Sequence, residues 1–279
     1  MKRHNIGIMQ GRLTPMKGRG IQFFPFDNWR EEFQEANEIG LDEIEFIFDF
    51  EQYEKNPLWT LEGICELRNI MEKTGVVVNA VCFDYFMRRA FFKSSNKALK
   101  EENEMILKKV LFAMKELNIP LIEIPLVDDS SIKKLEEKTA FKAFISEIAR
   151  EEKTLKFGLE TDFPPIEFSE LLDEIGLDNV GANYDSGNSS GLGYNHYEEV
   201  TTLRNRIYNI HIKDRKLHGG TVQLGAGSAD FNELFRGLKE ISYNGNFILQ
   251  AARGEEGLEK DNIVKQKKFV ESYINEYAI

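Results

Sequence analysis

Lys156-Phe157-Gly158-Leu159-Glu160-Thr161, Val180-Gly181-Ala182-Asn183-Tyr184-Asp185 and Ile207-Tyr208-Asn209-Ile210-His211-Ile212-Lys213 share one pattern. Each is a short run in which apolar or aromatic residues alternate with polar ones, the period-2 signature of a strand. The helix-facing set should be apolar, so Phe157 and Leu159, Ala182 and Tyr184, and Tyr208, Ile210 and Ile212 face outward. Gly158, Glu160 and Asp162, Asn183 and Asp185, and Asn209, His211 and Lys213 then face inward.

The same reading extends along the chain. Strands are expected at Ile6–Leu13, Glu43–Asp49, Val76–Phe83, Leu121–Val127, Lys156–Thr161, Val180–Asp185, Ile207–Lys213 and Asn246–Ala252. Helical stretches begin near Trp29, Leu61, Lys97, Lys134, Phe168, Tyr197, Phe231 and Asn262. Most close on a glycine or asparagine stop: Ile39-Gly40, Thr74-Gly75, Leu117-Asn118, Ile175-Gly176 and Asn244-Gly245. Eight strand–helix rounds in 279 residues fit one closed (β/α)8 barrel, a TIM barrel of the α/β class, spanning residues 1–279 as a single domain. The competing architecture is an open doubly wound sheet. Against it, Gln10-Gly11-Arg12-Leu13 after the first strand is not a GxGxxG phosphate fingerprint.

Composition narrows the function. The net charge of -11 opposes binding to a phosphate backbone, so nucleic acid is not an expected partner. The two cysteines, Cys65 and Cys82, form no disulfide framework or CxxC motif and read as buried small hydrophobes in a reducing cytosol. The opening Met1-Lys2-Arg3-His4-Asn5 is basic, but the stretch after Asn5 is too short and too polar for a signal segment, and no run is long enough to span a membrane. A cytoplasmic protein with no membrane partner is therefore expected.

In the other strands, Phe247 and Leu249 leave Gln250 facing inward, Ile44, Phe46 and Phe48 leave Glu45 and Asp49 inward, and Ile122 and Ile124 leave Glu123 inward. Four consecutive strands thus carry Glu160, Asp185, His211 and Gln250 toward the C-terminal mouth. Burying such groups unpaired costs several kcal/mol each, and a divalent cation among them would offset that cost. Oxygen and nitrogen donors without a thiolate suit Mn²⁺, Mg²⁺, Co²⁺ or Zn²⁺.

With these residues placed, the chain resembles the xylose isomerase-like TIM barrel superfamily of sugar phosphate isomerases and epimerases. The resemblance rests on Gly158-Leu159-Glu160, Asn183-Tyr184-Asp185-Ser186-Gly187-Asn188, Ile210-His211-Ile212-Lys213-Asp214-Arg215, Leu224-Gly225-Ala226-Gly227 with Asp230-Phe231, and the opening Gly7-Ile8-Met9-Gln10-Gly11-Arg12-Leu13. It implies that Glu160, Asp185 and His211 ligate a metal and that Glu160 also serves as catalytic acid/base in an enediolate mechanism. In ketose epimerases of the family a second glutamate ends strand 8. Here Gln250 stands in that place; its amide oxygen can coordinate a metal, but it cannot abstract a proton.

Arg12, Glu45, Lys213, Arg215 and Arg253 are expected to bind the substrate, a small sugar or sugar phosphate. The cationic ones lie where barrels often hold phosphate. Glu45, Glu123, Glu255 or Glu256 could replace the missing carboxylate. His196 and His218 read as surface side chains. Exposed aromatics in post-strand loops suggest a homo-oligomer. Two further readings stay open: a metal-dependent dehydratase or lyase acting on a keto-polyol, and a non-catalytic sugar-binding barrel, which Gln250 motivates.

Overall fold

The computed structural model describes residues 4–279; Met1, Lys2 and Arg3 of the basic opening lie outside it. Eight strands form a closed parallel barrel: β1 Ile6–Met9, β2 Glu43–Ile47, β3 Ala80–Cys82, β4 Leu121–Leu126, β5 Lys156–Thr161, β6 Val180–Asp185, β7 Ile207–Ile212 and β8 Asn246–Leu249. Each pairs with the next in sequence, and β8 closes on β1 through Ile6–Phe247, Gly7–Ile248 and Ile8–Leu249. A two-stranded ribbon, Asp214–Arg215 with Thr221–Val222, stands over the C-terminal mouth after β7.

The outer layer follows from helical periodicity. Helix Phe231–Glu240 buries Phe231, Leu234, Phe235 and Leu238, one face of a 3.6-residue repeat. Phe235 stacks on Phe247 of β8 at 5.6 Å and on Tyr273 of the last helix at 5.1 Å. Burying one such ring contributes roughly 2–3 kcal/mol. The outward strand residues Ile44, Phe46, Ile122, Ile124, Phe157, Leu159, Ile210 and Phe247 are all fully buried beneath these helices.

Gly40, Gly75, Asn118 and Gly176 close their helices in the left-handed conformation, as their positions suggested. The fifth stop falls elsewhere. Helix Phe231–Glu240 ends near Ile241, and Ser242, at φ 54°, takes the left-handed turn before Asn244-Gly245 is reached. The end strands are shorter than expected. β1 stops at Met9 because the chain then turns on itself, with Arg12 N bonding Met9 O and Thr14 N bonding Gly11 O. Of Val76–Phe83 only Ala80–Cys82 joins the barrel as a strand; Val77 makes an isolated bridge with Glu43.

Two side chains depart from their expected surroundings. Cys65 is exposed on helix Leu61–Thr74, whereas Cys82 is buried. His196 is buried rather than superficial. Its Nδ1 lies 2.6 Å from Tyr184 Oη, which also donates to Glu199. No helix among the described residues is long and apolar enough to cross a membrane.

Candidate active site

The strand ends converge on a cavity of about 480 Å³ at the C-terminal mouth. Glu160, Asp185 and His211 come from three adjacent strands, and their donor atoms lie within 4.8 Å of one another, all buried. Asp185 and His211 are direct register partners across β6 and β7.

Local structure fixes each of these groups. Asp185 ends β6 and caps helix Ser186–Leu192, its Oδ1 accepting from Gly187 N at 2.7 Å and Asn188 N at 2.8 Å. Its Oδ2 accepts from Lys213 Nζ at 3.2 Å, and Lys213 lines the cavity. Position 187 must be glycine, because a Cβ there would collide with the stem of Lys213. Glu160 is held at both oxygens: Asn188 Nδ2 donates to Oε1 at 2.6 Å and Asn183 Nδ2 to Oε2 at 3.0 Å.

His211 sits between two carboxylates, its Nδ1 3.2 Å from Glu160 Oε2 and its Nε2 3.1 Å from Glu45 Oε2. Burial alone would depress its pKa. The charges of Glu45 and Glu160 and the hydrogen bonds to them outweigh that and raise it well above the usual value. The two carboxylates thus favour a proton on this imidazole, with which a cation would compete for a ring nitrogen.

Lys213 Nζ also reaches Gln250 Oε1 at 3.4 Å and Asn188 Oδ1 at 3.5 Å. A positive charge thus rests between Asp185 and Gln250, marking a place that the surrounding oxygens favour for a cation. Hard oxygen donors and one imidazole fit a divalent ion such as Mn²⁺, Mg²⁺, Co²⁺ or Zn²⁺. Glu160, Asp185, His211 and, through its amide oxygen, Gln250 are the residues that would hold it.

Lys213 and Arg215 line the cavity. Arg215 Nη1 donates to Asn188 Oδ1 at 3.1 Å. Arg12, Arg253 and Glu45, which the sequence suggested as substrate contacts, are placed otherwise. Arg12 is buried, bonds the carbonyls of Ile21 and Gln250, and lies outside the cavity wall. Burial and the charge of Arg253 lower its pKa to about 9. Arg253 bonds the carbonyls of Ile21 and Thr14 and faces a separate cleft of about 700 Å³, together with Glu255. Glu45 lies beneath His211 and accepts from Asn209 at 2.7 Å. Glu256 accepts from Lys17 N on the surface.

The structure adds residues that strand alternation did not single out. Gln22, from the loop after β1, accepts from Gln250 Nε2 at 2.9 Å and donates to Asp84 Oδ2 at 2.7 Å. Burial raises Asp84 to about 6. Glu123, which the alternation did turn inward, lies on the same wall and is raised well above the ordinary carboxyl range by burial and then by the charge of Glu160.

Comparison with known proteins agrees with this architecture. SgbU of Haemophilus influenzae is 25% identical over 97% of this chain and 96% of its own length. The L-ribulose-5-phosphate 3-epimerase UlaE of Escherichia coli is 24% identical over 80% of this chain and 81% of its own. Two solved structures share the fold. The D-allulose 3-epimerase of Methylomonas sp. has a TM-score of 0.77 at 16% identity over 98% of both chains. An L-ribulose 3-epimerase has a TM-score of 0.78 at 15% identity, covering 99% of this chain and 96% of its own. The model of the xylose isomerase-like TIM barrel family matches residues 33–272, and the chain belongs to that family.

Proposed function

We propose that this protein is a divalent-metal-dependent isomerase or epimerase of a sugar or sugar phosphate, working in the cytoplasm. The observation that carries the reading is the gathering of Glu160, Asp185 and His211 within 4.8 Å on three successive strands beside a sugar-sized cavity. Relatives named as 3-epimerases of L-ribulose 5-phosphate, L-ribulose and D-allulose support a ketose as substrate. A cation held by Glu160, Asp185, His211 and Gln250 would supply Lewis-acid stabilisation of the negative charge that develops on the substrate oxygens as a neighbouring C–H is deprotonated.

The chain's own residues do the rest. Glu160, its carboxylate steered by Asn183 and Asn188, takes the proton from carbon and returns it. Lys213 and Arg215 offer positive charge to the hydroxyl or phosphate oxygens of the substrate. Gln250 orients without exchanging protons. Proton transfer on one face by Glu160 alone suits aldose–ketose isomerisation. Two-face epimerisation needs a second carboxyl, and Asp84 and Glu123 are buried carboxyls on the cavity wall.

The test is uptake of solvent deuterium into L-ribulose 5-phosphate, L-ribulose and D-allulose by the Mn²⁺-loaded protein. Glu160→Gln should lower uptake by about 10²–10⁴-fold, the range of general acid–base catalysis. Unchanged uptake in that variant refutes the role of Glu160.

A further inference from the structure

A second convergence of donors lies on the neighbouring strands. Glu45 of β2, Cys82 at the end of β3 and Glu123 of β4 are all buried, and their donor atoms also lie within 4.8 Å of one another. Cys82 and Glu123 are register partners across β3 and β4. None of the three belongs to the Glu160–Asp185–His211 set.

What separates this cluster from an ordinary group of acids is its unmet bonding capacity. Apart from the Cys82 thiol, neither buried carboxyl oxygen of Glu123 has a hydrogen-bond partner, and Oε1 of Glu45 has none. Glu123 is 1% exposed and Glu45 is fully buried. The other oxygen of Glu45 is fixed by Asn209 and His211, leaving Oε1 free. Cys82 Sγ contacts Asp84 Oδ1 at 3.2 Å and Gln22 Nε2 at 3.8 Å. Among the described residues no lysine or arginine bonds Glu45, Cys82 or Glu123. Unpaired buried carboxylates cost several kcal/mol each. The cluster is reachable, because Cys82 and Glu123 line the 480 Å³ cavity.

We propose that Glu45, Cys82 and Glu123 form a second divalent-cation site, suited to a thiophilic borderline ion of the Zn²⁺ or Co²⁺ class. A thiolate beside two carboxylates favours such ions over Mg²⁺ or Ca²⁺. On binding, Cys82 and Glu123 release their protons to solvent and the three ligands carry three negative charges, which the cation would reduce to one. Occupancy therefore rises with pH. The site stands on ligands other than Glu160, Asp185, His211 and Gln250, and it does not depend on the isomerase reading.

The thiolate gives the test its signature. Metal-stripped full-length protein is titrated with Co²⁺ while the near-ultraviolet thiolate-to-cobalt charge-transfer band is followed and bound cobalt is counted. The band should appear in the native protein and in Asp185→Asn, survive Cys65→Ser and vanish in Cys82→Ser. Glu123→Gln, which keeps the thiol, should weaken the Co²⁺ affinity behind the band at least about tenfold. With both centres intact the protein should hold about two Co²⁺ per chain, and about one after Asp185→Asn. A native protein without the band at saturating Co²⁺, a band abolished by Cys65→Ser, or one unmoved by Glu123→Gln overturns the proposal. A native protein that shows the band but holds no second cobalt dependent on Asp185 would count against the isomerase centre and leave this site standing.

Discussion

Restoring a carboxylate at the end of β8 is the sharpest perturbation of the proposed metal centre. Gln250 is 5% exposed, and its Oε1 lies 3.4 Å from the Lys213 ammonium, which rests against Asp185. Gln250→Glu keeps the shape and adds one negative charge where a cation already sits. At an effective dielectric near 20, unit charges this close attract by about 4–5 kcal/mol. Desolvating the new carboxylate consumes a large part of that. A net gain of about 1–3 kcal/mol for a divalent ion remains, or roughly fivefold to 150-fold in affinity. Titration calorimetry of the metal-stripped variant with Mn²⁺, beside the native chain, reads this directly. Equal or weaker Mn²⁺ binding in a folded Gln250→Glu protein would show that position 250 does not face the cation.

Other consequences concern stability. Burial raises Glu43 from its ordinary 4.5 to about 8. A carboxyl raised on folding stabilises the fold fully below pH 4.5 and loses that contribution as pH climbs toward 8, at about 1.4 kcal/mol per unit. Native stability in urea should therefore fall by a few kcal/mol between pH 5 and pH 8, and Glu43→Gln should flatten the slope; an identical slope in the variant removes Glu43 as its source. Arg12→Met removes the side-chain bond to the Gln250 carbonyl and leaves the Ile21 carbonyl to Arg253 alone, and should cost about 1–3 kcal/mol of stability, with the KM of the folded variant unchanged. A raised KM at native stability would return Arg12 to substrate binding.

The strands of the site were the most legible part of the sequence. β5 and β6 match their expected limits because apolar and polar residues alternate without interruption from Lys156 to Thr161 and from Val180 to Asp185. The same alternation brought Glu160, Asp185 and His211 to one end of the barrel. It fails where the chain stops being periodic. Arg12 follows a strand, as ligand-binding residues of barrels do, but the tight turn after Met9 tucks its guanidinium against carbonyls. Asn188 lies in the first turn of the helix that Asp185 caps, and its place three residues beyond that aspartate was a usable signal for a side chain turned toward Glu160. Gln22 carried no such signal, since it meets Gln250 across 228 residues of sequence. The cluster of Glu45, Cys82 and Glu123 depends on register between strands, which composition does not encode.

The central claim is that Glu160, Asp185 and His211 hold a divalent ion. Mn²⁺ tests it best, because a hard ion prefers these oxygen and nitrogen donors to a thiolate. Electron paramagnetic resonance of free Mn²⁺ during titration of the metal-stripped protein counts what is bound, with circular dichroism confirming the fold. About one Mn²⁺ per chain should bind to the native protein and be lost in His211→Ala, since removing one of few ligands collapses the affinity. A native protein that leaves Mn²⁺ free, or a folded His211→Ala that binds it equally well, contradicts the account.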